Sequence, residues 1–183
     1  LESNDLLLGI ASIIVSELDL ETKRALDAFC EHYQNDIPLV AVHAAQQRDS
    51  VEKLLYSHPS LKSTNYEAML WLRLGLIDRA HEIVQSANRG ISAYIHGIVH
   101  RLEGDFWNSK YWFRRVHDNR LFENLSDRVE RAIGLPGFDP AIYTDTVEQF
   151  LQSRSPSSHA ELSRIAIAEW NAVLAELQES GIS

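Results

Sequence analysis

The stretch Gly75-Leu76-Ile77-Asp78-Arg79-Ala80-His81-Glu82-Ile83-Val84-Gln85-Ser86-Ala87 returns 29 residues later as Gly104-Asp105-Phe106-Trp107-Asn108-Ser109-Lys110-Tyr111-Trp112-Phe113-Arg114-Arg115-Val116. Gly75, Ala80, Val84 and Ala87 share their offsets with Gly104, Ser109, Phe113 and Val116, and upstream Ala68 and Trp71 correspond to Gly97 and His100. A glycine permits the positive φ that ends one helix. Small or apolar residues on the next helix then pack back onto the first. The pattern predicts two antiparallel helical hairpins over residues 64–117.

Outward from this core the signals remain helical, and no sustained period-2 alternation marks a strand. Asp5 can cap a helix through the apolar run to about Ser16, and Asp19 a second with Ala25, Leu26, Phe29 and Tyr33 on one stripe. Asp36 with Pro38 suits a third start, because proline is tolerated in a first turn. Asp49-x-x-Glu52 and Thr64-x-x-Glu67 have capping-box spacing, and Asp139-Pro140 marks another start. The polar run Ser153–Ser158 reads as a connection before a last amphipathic helix at 159–179. The prediction is one all-α domain over 1–183, hairpins stacked side by side and the terminal helix capping the end of the stack.

Composition limits what such a fold can do. The chain has 183 residues, 45% of them hydrophobic, and a formal charge of −9. The apolar fraction supports a packed core. The acidic balance argues against holding nucleic-acid phosphates or an anionic membrane by bulk electrostatics. Cys30 is the single cysteine, so an internal disulfide and a cysteine-based zinc site are excluded. The apolar run Leu6–Val15 is shorter than a bilayer span, which needs about 20 residues. Glu2 and Asp5 before it are unlike the basic start of a signal peptide, so a cytoplasmic protein is expected.

The charge is unevenly placed. Residues 1–70 carry −6, residues 71–131 carry +2 and residues 132–183 carry −5. The middle segment also holds His81, His96, His100 and His117, half of all histidines, and three of the four tryptophans (Trp71, Trp107 and Trp112). The search for function belongs there.

Gly104-Asp105-Phe106-x-x-Ser109-x-x-x-Phe113-x-x-Val116 resembles the tetratricopeptide repeat, whose second helix follows Gly-Asp/Asn-Tyr/Phe-x-x-Ala-x-x-x-Phe-x-x-Ala. That resemblance implies a TPR-like stack of helical hairpins and a protein-binding role. The period of 29 is shorter than the usual repeat of about 34, and His96 and His100 stand where Leu and Tyr are expected. The run from Tyr94 to Arg115, with Asp78-Arg79-x-His81 before it, resembles a family of uncharacterised microbial and fungal proteins. Its signature is Trp-His-x-Ile-x-His-Arg-x-Glu-x-Asp-x-x-Asn-x-Lys-Tyr-Trp, and here Ile95 stands in place of the first Trp. The resemblance implies no activity, only a location of interest.

Two chemistries fit this location. His96 and His100 lie four apart on one helix face, with Glu103 at i+7 from His96 and His81 on the preceding hairpin. Together they form a plausible ligand set for a divalent metal, and hence for a small metal-dependent enzyme. Alternatively, Tyr94, Arg101, Glu103, Lys110, Tyr111 and Arg114 line a pocket for a peptide or a small anionic ligand, making the chain a binding module. Each group also has a plain structural reading. The histidines suit buried positions where each donates to an oxygen, the arginines a solvated helix face, and Trp71, Trp107, Trp112 and Phe113 packing between helices. No cofactor is expected beyond a divalent metal at the histidines. The residues leave open whether the chain is an enzyme, and its oligomeric state.

Overall fold

Four aspartates and a threonine set where helices begin. The computed structural model describes residues 18–33, 38–39, 45–153 and 157–180. Among them α1 is Leu20–His32, α2 Ala45–Ser57, α3 Asn65–Arg73, α4 Ile77–Val84 and α5 Gly90–Glu103. There follow α6 (Phe106–Arg115), α7 (Asn119–Ile133), α8 (Pro140–Leu151) and α9 (His159–Ser180), with one 3-10 turn at Pro59–Leu61. No strand occurs among the described residues, so the fold is all-α.

The predicted caps at Asp19, Thr64 and Asp139 hold, and Asp105 caps α6 as well. Each side chain accepts from a backbone N–H of its first turn, and Pro140 stands at the start of α8. Asp118 caps α7 the same way. One expected cap does not occur. Asp49 lies inside α2, which starts four residues earlier, and Glu52 there pairs with Arg48 across one turn at 3.1 Å. Helix starts expected at Asp5 and Asp36 lie outside the described residues.

Gly75 and Gly104 take positive φ, +70° and +83°, at the turns that join α3 to α4 and α5 to α6. Each pair of helices packs together, and α4 also packs on α5. The second hairpin is drawn tight at Gly97. A Cβ there would stand 2.6 Å from the Phe113 ring, which is itself buried. A larger residue at 97 would therefore push α5 and α6 apart.

The terminal helix occupies a different place from the one expected. Instead of capping one end, α9 packs against both α3 and α7. The Trp170 indole donates to the Met69 carbonyl of α3 at 2.9 Å, and Leu162, Trp170, Val173 and Leu177 are buried. The reason is its apolar stripe, which continues for the whole length of the helix and must be covered throughout. No helix among the described residues is long and apolar enough to cross a membrane.

Candidate metal centre

Helix α5 is buried on two faces, and each face carries polar side chains. Tyr94 and Arg101 are seven residues apart and share one face. His96, His100 and Glu103 lie roughly 200° away around the axis, since each residue advances it by about 100°. The first face meets α9 and the second meets α4 and α6.

On the second face three imidazoles gather. His96 Nε2 lies 3.0 Å from His81 Nε2, which α4 supplies. The His96 and His100 rings stack with centroids 4.8 Å apart, and His81 meets His100 edge-on at 5.1 Å. One ring nitrogen from each of the three falls within 4.8 Å of the other two. An ion about 2.0–2.1 Å from three tetrahedral nitrogens would hold them roughly 3.3 Å apart. The His81–His96 pair already lies at 3.0 Å, while the set as a whole, within 4.8 Å, is wider than that spacing.

The outer nitrogens are held by a single carboxylate. Glu103 Oε1 is 3.0 Å from His81 Nδ1, and Glu103 Oε2 is 2.7 Å from His100 Nδ1. From α6, the Trp112 indole lies flat against His96, with centroids 3.9 Å apart and planes inclined at 21°. His96 is 2% exposed, and its Nδ1 has no hydrogen-bond partner among the described residues. Burial, reinforced by His100 and His81, pushes its pKa down to about 3, so His96 stays neutral at ordinary pH. A neutral imidazole is the form that ligates a metal.

The residues expected to line an anion pocket do not converge. Arg101 and Tyr94 are buried at 4% and 0% exposure. Both bind Glu169 of α9. Arg101 donates through both terminal nitrogens, Nη1 at 3.3 Å, and the Tyr94 hydroxyl donates at 3.0 Å. Arg101 also lies 4.6 Å over the Tyr143 ring. The expectation that Arg101 meets an external anion is thus corrected, because Glu169 already neutralises it. Burial, then the Glu169 charge, raises the Tyr94 pKa well above its ordinary value and keeps the hydroxyl protonated.

Glu103 belongs to the imidazole cluster. Lys110 pairs with Asp145 of α8, while Tyr111 and Arg114 are exposed on α6. Trp107 is a further correction. It is 68% exposed and lies parallel to Tyr111 at 6.0 Å, so it packs between no helices. Trp71 and Phe113 are core residues as expected. Glu169 escaped the sequence reading, although one signal pointed to it: a lone carboxylate between Ala166 and Trp170 on the apolar stripe of α9.

Cys30 behaves as a packing residue. Burial, then Asp27, raises its thiol pKa to about 11, which leaves it unreactive. Comparison of the chain with protein-family models, with curated proteins and with solved structures gives no match.

Proposed function

We propose that the chain is a TPR-like helical module that binds one divalent transition-metal ion through His81, His96 and His100. The observation that carries this reading is the gathering of three ring nitrogens within 4.8 Å of one another, backed by one carboxylate. The all-nitrogen donor set suits Zn²⁺, Co²⁺, Ni²⁺ or Cu²⁺ and not Mg²⁺ or Ca²⁺, which take oxygen ligands. The helical support comes from two hairpins in contact, α3–α4 and α5–α6, whose shared face contributes all three imidazoles.

The test uses protein purified without a histidine tag, stripped with a chelator and dialysed against micromolar Zn²⁺. Close to one equivalent is expected, falling below a tenth in a His96→Leu/His100→Gln double variant. Uptake below a tenth of an equivalent by the unaltered protein would refute the metal reading.

A binding role for the α6 surface retains narrower support, from the exposed Trp107–Tyr111 pair beside Arg115, whose Nη1 donates to the Tyr111 hydroxyl at 3.2 Å. Replacing both aromatic residues by Ala should abolish capture of an acidic peptide if that surface binds one. Unchanged capture would remove the role.

A further inference from the structure

Glu103 has a more specific role than the sequence suggested, and deriving it rests on the metal reading above. Its carboxylate touches His81 Nδ1 with Oε1 at 3.0 Å and His100 Nδ1 with Oε2 at 2.7 Å. A carboxylate is an acceptor only, so each contact is a hydrogen bond when the Nδ1 atom carries the proton. Both rings then present Nε2 as an unprotonated lone pair. One residue therefore sets two tautomers. If Glu103 were itself a ligand, it would have to turn at least one oxygen away, and an imidazole would lose its acceptor.

The remaining contact completes the proton count. With His81 Nε2 unprotonated, the 3.0 Å approach of His96 Nε2 is an N–H···N bond donated by His96. That leaves His96 Nδ1 as a buried acceptor without a partner among the described residues. For a divalent ion to be held at Nε2, the shared proton has to shift to Nδ1, which keeps the imidazole neutral.

Exposure gives the cluster a direction. The His81 and Glu103 side chains are 34% and 26% exposed, whereas the His100 side chain is 10% exposed and His96 is buried. The solvent side is thus the His81–Glu103 side. Three neutral imidazoles leave the ion's double charge uncancelled by its ligands.

We propose that Glu103 is a positioning residue that stands behind the imidazoles. It leaves the three-nitrogen ion a fourth position, free of the carboxylate, that takes water or a small monodentate anion. Outer carboxylates of this kind orient ligating histidines, and their loss weakens metal affinity by about 10–100-fold.

The experiment has two arms on the untagged full chain. In the metal-free protein, ring ¹⁵N–¹H NMR should show His81 and His100 as Nδ1–H tautomers. Glu103→Gln, whose amide offers one acceptor instead of two, should release at least one of them. With Co²⁺ as probe, the visible spectrum should be four-coordinate in both proteins. Affinity should be about 10–100-fold weaker in Glu103→Gln, and added azide should shift both spectra. Nε2–H tautomers in the unaltered metal-free protein would overturn the proposal. So would an azide-silent Co²⁺ spectrum, or one whose coordination number changes in Glu103→Gln. Each of these outcomes leaves the metal reading intact if Co²⁺ binds, whereas no Co²⁺ binding at all defeats both.

Discussion

Helix α5 presents two buried polar faces, and they differ in how completely their groups are satisfied. Towards α9, Arg101 has both terminal nitrogens on Glu169, and the Tyr94 hydroxyl joins the same carboxylate. Towards α4 and α6, three imidazoles crowd together, and His96 keeps a nitrogen without a partner among the described residues. Charges taken out of water persist in a core only when paired and hydrogen-bonded, which the first face achieves internally. The second face keeps one buried nitrogen unpaired among the described residues and sets one ring nitrogen from each of three imidazoles within 4.8 Å of the others. The difference separates a latch between helices from a site suited to a ligand.

The comparison breaks most visibly at the latch. Glu169→Gln leaves the Arg101 charge buried without a counter-charge and should cost about 3–5 kcal/mol in urea unfolding. Replacing both members, Arg101→Met with Glu169→Leu, should recover most of that loss. Equal losses in the single and double variants would show that the pair is not what holds α5 to α9.

The open face should respond to metal instead. Zn²⁺ at 100 times its dissociation constant should stabilise the native chain by about 2.7 kcal/mol. The gain should disappear in His100→Gln and survive in a variant altered only on α6, Trp107→Ala. Thermal unfolding with and without Zn²⁺ reads the difference.

Gly97 sets the α5–α6 spacing on which the Trp112–His96 contact depends. Gly97→Ala drives a methyl into Phe113 and should cost about 1–3 kcal/mol. An unfolding midpoint unchanged by this substitution would mean that the two helices separate freely.

His96→Leu should produce the smallest change, and one of opposite sign. It removes a buried unsatisfied nitrogen, so the metal-free protein should gain about 1 kcal/mol while losing Zn²⁺ binding. The pH dependence checks the cause. The folded-state pKa of His96 lies near 3, below the ordinary imidazole value of 6.5, so the unfolded chain binds the proton more readily in that interval. Stability from this group is complete above pH 6.5 and is lost as pH falls towards 3. His81, His100 and Glu103, which face His96 or its neighbours, remain in both proteins. The acid loss should therefore be shallower in His96→Leu, and parallel curves would contradict the assigned environment.

What the sequence revealed follows the range of the interactions involved. Caps at Asp19, Thr64 and Asp139, and the turns at Gly75 and Gly104, are decided within a few residues, so they could be read directly. His96, His100 and Glu103 share a face through helical periodicity alone, and His81 enters by the offset between two similar hairpins. Arg101 was legible as a cation but not as a buried one, because its partner Glu169 is 68 residues away. The route of α9 across α3 and α7 was hidden for the same reason, since amphipathicity shows that a face is covered but not by what. Trp107 misled because its residue type favours burial, whereas its position on α6 leaves it in solvent.

The most direct measurement is X-ray absorption at the zinc edge of the Zn²⁺-loaded untagged protein. Imidazole scattering from three nitrogens at about 2.0–2.1 Å is expected, with a fourth light-atom ligand. Loss of imidazole scattering is expected in the His96→Leu/His100→Gln variant. A shell dominated by oxygen, or one unchanged in that variant, would contradict the proposed centre.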